Sequence, residues 1–407
     1  MPSLTSARTY LDHAATTPMV PAALEAWLAA AAVLGNPSSL HLSGRHARAV
    51  LEESRERVAA ELDAHPSEVI FTSGGTEADN LAITGTYAAR TGADPLARGV
   101  ITSAIEHHAV LEAVEALERP LGCDGAVARY VMPAADGVIR VDAVSSAIDD
   151  IEAQGASTAL ISLMWANNEI GTLQPVSEVA ALARERGIPM HSDAVQAVGP
   201  CAVSFRDSGL DLLSLSGHKL GGPMGIGVLL VSRGARLDPL VHGGGHERGL
   251  RSGTVPVALA ASLAAAVEEA AQRRERESAR LVTLRDRLIE GVLALDLDIT
   301  VGGSWTPGSA ADRLPGNAHL IVAGCEPDSL LFLLDAAGIE SSTGSACQAG
   351  VPGRSHVLEA LGLGGDGPVG VVRLTLGHQS TEQDVDRAIA ALATCVPQAR
   401  TAYTVSV

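Results

Sequence analysis

The sequence is nearly without lysine. Of its 29 basic residues, 28 are arginine and one is Lys219, so any chemistry that needs a primary side-chain amine has a single address. Aromatic residues make up only 2% of the 407 positions although 46% are hydrophobic, so a core must be assembled from Ala, Val, Leu and Ile. Positive charge is in deficit, with a formal net charge of -18. Such a surface repels the phosphate field of nucleic acid and of anionic membranes, which excludes both as direct partners. No apolar run approaches the ~20 residues of a membrane span, and residues 255–267 are among the longest. The N-terminus has no basic segment followed by an apolar one, so a cytoplasmic protein is expected. Cysteines number five, at positions 123, 201, 325, 347 and 395, an odd and scattered set that excludes a disulfide framework and a zinc site.

What is present is an alternation of short apolar runs and amphipathic stretches. Strands are predicted at residues 68–72, 99–103, 158–164, 188–191, 210–215 and 226–231, with helical periodicity at 108–117 and 176–186. That order predicts an α/β fold, a mainly parallel central sheet covered by helices. After residue 254 the pattern changes to a long Ala- and Arg/Glu-rich helix over about 257–295, with Arg273-Arg-Glu-Arg-Glu277 expected on a solvated face. A strand at 318–322, a helix at 328–337, a strand at 369–376 and a helix at 381–395 then predict a smaller α+β domain. The expected division is 18–269 for the large domain and 1–17 with 270–407 for the small one. No internal repeat or low-complexity segment interrupts it.

Lys219 follows the apolar run 210–215 in Ser216-Gly-His-Lys219, ahead of glycines that let a ligand approach the backbone. An arginine guanidinium stays protonated and is a poor nucleophile, whereas a desolvated lysine amine can form an imine. Two other segments suit an imine cofactor that carries a phosphate. Glu68-Val-Ile-Phe-Thr-Ser-Gly-Gly-Thr-Glu77 is a strand, a glycine pair and a helix start, whose free N–H groups and positive dipole end bind phosphate, although Thr76 also reads as an ordinary N-cap. His191-Ser-Asp193 ends a strand with an acid that is either a helix cap or the partner of a pyridine nitrogen.

Over nearly its whole length the chain resembles the cysteine desulfurases, class V aminotransferase relatives of fold type I. The resemblance runs through Tyr10-Leu-Asp-His-Ala-Ala-Thr-Thr-Pro18, Gly35-Asn-Pro-Ser-Ser-Leu-His41, Gly74-Gly-Thr-Glu77, Glu106-His-His-Ala-Val110 and Asn167-Asn-Glu-Ile-Gly171. It continues in His191-Ser-Asp-Ala-Val-Gln196, Ser216-Gly-His-Lys219, His242-Gly-Gly-Gly-His-Glu-Arg-Gly-Leu-Arg-Ser-Gly-Thr254, Ser342-Thr-Gly-Ser-Ala-Cys347 and Val372-Arg373. The resemblance implies pyridoxal 5'-phosphate bound covalently at Lys219. Asp193 would meet the ring nitrogen, Gln196 the ring hydroxyl, and His107 would stack on the ring. Gly75, Thr76, Ser216 and His218 would cradle the phosphate, with Thr254 reaching it in the neighbouring subunit of a homodimer. Asn168 and Arg373 would hold the carboxylate of L-cysteine, a task suited to the two-pronged arginine fork.

The same resemblance makes Cys347 the nucleophile that takes the substrate sulfur as a persulfide, and passes it to an iron–sulfur scaffold or a tRNA- or cofactor-thiolation enzyme. Cys325 and Cys395, on an apolar strand and a helix, are expected to be buried, whereas Cys123 is a loop cysteine ranked below Cys347 by the family pattern alone. The glycine-containing loop 343–353 is expected to carry Cys347 between cofactor and acceptor. Two positions depart from close relatives: Met224 where a basic residue is common, and Ser341 where a second cysteine is common. A selenocysteine lyase, an aminotransferase or a non-catalytic sulfur-transfer scaffold are the alternative readings.

Borohydride reduction followed by peptide mapping is expected to place the pyridoxyl group on Lys219, and Lys219→Arg to hold cofactor noncovalently at best. A label on any other peptide contradicts this assignment.

Overall fold

The computed structural model describes residues 8–119, 125–344, 355–363 and 369–406, of which 404–406 are described by backbone alone. In chain order its strands are β1 (Thr9–Tyr10), β2 (Val69–Thr72), β3 (Ala97–Ser103), β4 (Val127–Val131), β5 (Ser157–Ser162), β6 (Met190–Asp193), β7 (Leu212–Ser216), β8 (Gly227–Val231), β9 (Ile299–Val301), β10 (Asn317–Ala323), β11 (Ile339–Glu340) and β12 (Val369–Thr375). Seven of them form one sheet in the order β2-β8-β7-β6-β5-β3-β4. β8 runs antiparallel to both neighbours, and the remaining pairs are parallel.

Parallel strands joined by helical crossovers are buried on both faces, so they need continuous apolar runs. Leu-Leu-Ser-Leu-Ser in β7 is buried throughout, and so is Gly-Val-Leu-Leu-Val in the antiparallel β8, which lies between β2 and β7 in the same sheet. Two aliphatic cores lie against this sheet, one containing Leu213, Leu215 and Val228, the other Leu212, Leu229 and Val231, alternating along the same strands. The predicted strands were found within a residue or two of these limits. β4 was not predicted, because its residues are half-buried and Val-Ala-Arg-Tyr-Val carries no continuous apolar run.

The helix Val257–Leu293 joins the two halves of the molecule. Its alanine-rich first half packs on the helices Pro21–Ala31 and Leu42–Glu61, where small side chains let the axes approach and Ser262 donates to the Ala23 carbonyl at 2.7 Å. Its second half contributes Leu281, Leu284, Leu288 and Ile289 to a separate core beneath the antiparallel sheet β12-β10-β9. Between them, Arg273 and Glu277 are half-buried rather than fully solvated, because the helix passes beside the loop at Leu376, Gly377 and His378. Cys325 and Cys395 lie in the second core, as expected.

Gly227 marks the point where β8 passes the turn after β2. A Cβ there would stand 2.6 Å from the Gly74 carbonyl carbon and 2.6 Å from the Leu215 oxygen, both backbone atoms that cannot swing aside. Gly227→Ala is therefore expected to destabilise the fold by about 1–3 kcal/mol, the usual range for overpacking. Urea denaturation checks this, and an unchanged midpoint contradicts it.

Candidate active site

In an open parallel sheet, ligands bind in the crevice beyond the carboxyl ends of the strands. Here those ends deliver the chemistry. β2 leads through Ser73-Gly74 into the helix Gly75–Asn80, which continues through a π turn at Leu81–Gly85 into Thr86–Ala93. A Cβ on Gly75 would meet Val195 Cγ2 at 2.8 Å, so the helix start seats against the β6 loop only with glycine there. β3 leads to Glu106 and His107, β5 to Met164 and Asn168, and β6 ends in Asp193. β7 ends in Ser216 and a 3-10 turn, Gly217–Lys219.

Gly75, Thr76, His107, Asn168, Asp193, Gln196, Ser216, His218, Lys219 and Arg373 all line one cavity of about 320 Å³. Two predicted site residues are not among them. Thr254 is exposed on the surface and does not line this cavity. Cys347 lies outside the described residues, as do the rest of loop positions 345–354 and Cys123.

The segment after β1 forms one wall. Lys219 Nζ donates to the carbonyls of Ala14 (2.7 Å) and Ala15 (2.8 Å), and Gln196 Nε2 donates to the Ala14 carbonyl at 3.0 Å. His218 Nδ1 lies 3.2 Å from Thr16 Oγ1. Burial first, then the Lys219 charge, lowers the His218 imidazole to about 4. His107 caps the helix His108–Glu118 through Nδ1, which accepts from the Ala109 N–H at 3.1 Å. Burial and Lys219 lower it to about 4, so at neutral pH the ring is uncharged with its proton on Nε2.

Asp193 is buried beside Lys219. Its Oδ1 accepts the Val195 N–H at 2.8 Å. Burial pushes this carboxyl up to about 6, against the pull of that N–H and of Lys219. Asp79 stands next to it, buried, held well above the carboxylate range by desolvation and by the Asp193 charge, with an Oδ1 that has no hydrogen-bond partner among the described residues.

The small lobe supplies Arg373 from β12. One Nη donates to the carbonyls of Asn168 (2.9 Å) and Gly344 (3.3 Å), and the other to Asp12 Oδ1 (2.9 Å). Arg373 and Asn168 are thus joined through the Asn168 backbone. Nε of Arg373 is buried with no partner among the described residues.

Sequence reasoning assigned no role to Asp79, His108, Glu169 or His356, which also line the cavity. Glu169 Oε2 accepts from Ser355 Oγ at 2.5 Å, and His356 Nε2 lies 2.9 Å from the Glu106 carbonyl. Their approach is tertiary; only their places inside or beside quoted motifs signalled them.

The arrangement fits pyridoxal 5'-phosphate. A cationic ring nitrogen would compensate the buried Asp193 carboxylate, which has the Val195 N–H and the Lys219 charge beside it and a second acid, Asp79, next to it. The N-terminal N–H groups of the helix at Gly75, with the hydroxyls of Thr76 and Ser216, offer a phosphate its donors. The profile of the class-V aminotransferase family matches residues 9–388. The chain is 51% identical over 393 residues to an IscS-like cysteine desulfurase of Mycobacterium tuberculosis strain H37Rv, covering 97% of each chain. It is 39% identical to cysteine desulfurase IscS of Clostridium botulinum, covering 96% of this chain and 95% of the relative. Among solved structures, a NifS-like protein superposes with a TM-score of 0.84 at 32% identity, covering 96% of this chain and all of the other. SspA in complex with cysteine gives 0.73 at 34%, covering 90% and 98%.

The chain belongs to the class-V aminotransferases, enzymes that use pyridoxal phosphate. Within that family it is a cysteine desulfurase.

Glu106, fully buried next to the cavity residue His107, yields a pH test. Its Oε1 accepts from Ser103 Oγ (2.7 Å) and the Met164 N–H (2.8 Å), and burial pushes the carboxyl up to about 8. As pH rises from its ordinary value of 4.5 towards 8, the unfolded chain releases a proton that the folded chain retains, so stability falls across that window. Glu106→Gln keeps the acceptor and removes the titration. Cofactor-free Glu106→Gln should match the wild type near pH 5 and exceed it by on the order of 1–3 kcal/mol near pH 8 in urea denaturation. A gap that does not widen with pH contradicts the assignment.

Proposed function

We propose that this enzyme is a homodimeric L-cysteine desulfurase that releases L-alanine and leaves the sulfur as a persulfide on Cys347. The observation that carries this reading is the meeting of the chain's one lysine, a buried Asp193 and the Arg373 fork in a single cavity. In this reading the family cofactor, when bound, supplies an electron sink conjugated to the substrate amine. Asp193 would meet its ring nitrogen, Gln196 its ring oxygen and His107 its face, while Gly75, Thr76, Ser216 and His218, with Thr254 from the second subunit, would take its phosphate.

The chain's own residues then divide the work. Arg373 and Asn168 orient cysteine by its carboxylate. Lys219 Nζ removes the proton from the substrate Cα. The Cys347 thiolate attacks the substrate sulfur; the new S–S bond forms as the Cβ–S bond breaks, and that bond's electron pair stays with the carbon skeleton. Protonation of the carbon skeleton then gives alanine, so one cysteine and one enzyme thiol become one alanine and one persulfide. The SspA structure contains cysteine, which supports the substrate assignment. The two separate cores support a large domain of 18–269 and a small one of 1–17 with 270–407. A sulfur acceptor, an iron–sulfur scaffold or a thiolation enzyme, would collect the persulfide in the cytoplasm.

Cys347→Ala tests the reading. The variant should still bind cysteine, seen as a change in cofactor absorbance, while sulfide released with a reductant falls at least 100-fold. Near-normal sulfide release would return the chemistry to a lyase that does not use Cys347.

A further inference from the structure

The loop between Val241 and Thr254 is tied to other elements through the side chains of Glu247 and Arg251. It is closed on itself by the bridge Val241↔Arg251, the Ser252 N–H donating to the Val241 carbonyl at 3.2 Å. Its tip takes an unfavourable course: Glu247, Arg248 and Gly249 have φ of 47°, 60° and 81°, three left-handed residues in a row of which only one is glycine. Such backbone persists only where surrounding contacts over-determine it, and it concentrates at functional sites. The contacts here are specific. The Glu247 side chain, 2% exposed, takes a two-pronged ion pair from Arg55 at 2.7 and 2.9 Å, and its Oε2 also accepts the Phe71 N–H of β2 at 2.8 Å.

Arg55 is itself fixed by the Val69 carbonyl at 2.6 Å and lies 4.9 Å over the Phe71 ring. Further along, Arg251 Nε donates to Glu77 at 2.8 Å, and Glu77 also accepts the Ser73 N–H at 2.7 Å. Both fastenings reach one unit, β2 and the helix start that carries Gly75 and Thr76, the first of them also through Arg55 of the helix Leu42–Glu61. Thr254 follows immediately and is exposed.

We propose that Glu247 is a positioning residue for the other subunit's active site: its buried pairing with Arg55 and Phe71 fixes the loop so that Thr254 is presented to the partner's cofactor phosphate. The inference rests on the homodimer reading above. An ordinary structural ion pair would act within its own subunit, whereas a positioning role for Thr254 acts across the interface, and this difference is measurable.

The test uses dimers of two differently tagged subunits, one of them Lys219→Ala, so that borohydride trapping reports cofactor retained only on the lysine-bearing subunit after dilution. With Glu247→Gln on the Lys219→Ala subunit, cofactor release from the wild-type partner should accelerate at least tenfold relative to the dimer without it. With Glu247→Gln on the lysine-bearing subunit, release should stay within about twofold of that control. Loss only in the second arrangement, or no change in either, overturns the proposal. Glu247→Asp, which keeps the charge and withdraws the carboxylate, should shift release in the same asymmetric way if Glu247→Gln does not accumulate. In cofactor-free protein, hydrogen exchange at amides 243–253 should quicken at least tenfold in Glu247→Gln while β5 to β7 keep their protection; an unchanged loop overturns the proposal. If sedimentation finds only monomers, the dimer reading fails first and takes this inference with it.

Discussion

A carboxylate at the dry end of a strand is the constraint from which this site follows. Asp193 is 6% exposed, with a second buried acid, Asp79, at its side and the one lysine of the chain nearby. Two such groups cannot both ionise without a cation to offset them. The protein's own answer is partial: the Val195 N–H and the field of Lys219 act on Asp193, and a Ser214 hydrogen bond acts on Asp79, whose Oδ1 lies 3.6 Å from His191 Nε2, while the Lys219 amine is engaged with the Ala14 and Ala15 carbonyls. In the proposed reading a protonated ring nitrogen would complete it, so that affinity for the cofactor and ionisation of its ring would answer one electrostatic deficit.

Much else in the fold serves to keep that deficit dry and correctly faced. The aliphatic strands β5 to β7 place Asp193 and Ser216 at adjacent strand ends, and the turn at Gly217 swings Lys219 back over them. The segment from Asp12 to Thr17 belongs by chain order to the small lobe's edge, yet it covers the lysine and accepts from Arg373. Arg373, buried on β12 between Asp12 and the Asn168 carbonyl, makes this wall of the cavity a joint product of both lobes. A shift of the small lobe would move that arginine and the wall over Lys219 together.

How much of this was legible beforehand depended on the kind of signal. The central strands were readable because a strand buried on both faces must be largely apolar, as in 212–216 and 227–231. β4 was missed because half-burial lets Arg129 and Tyr130 stand in it, and two-residue strands such as β1 and β11 offer no period to detect. Lys219 was legible through scarcity alone, and Asp193 through its place at a strand end. Asp79, Glu169 and His356 were not, because their chemistry comes from burial against residues far away in sequence: Glu169 meets Ser355 and Asp79 meets Asp193 only after folding. Glu247 was quoted within a motif, but a buried pair with Arg55, 192 positions away, has no local signature.

The measurement that bears most directly on the central claim is cofactor titration of cofactor-free Asp193→Asn beside cofactor-free Arg373→Gln, each followed by calorimetry and absorbance. If the buried Asp193 charge is what the cofactor answers, Asp193→Asn binds at least 30-fold more weakly than the wild type, a loss of about 2 kcal/mol. Arg373→Gln should then bind within about threefold of the wild type, its defect confined to the cysteine-induced spectral change. Wild-type affinity in Asp193→Asn, or an equal loss in both variants, would contradict the account.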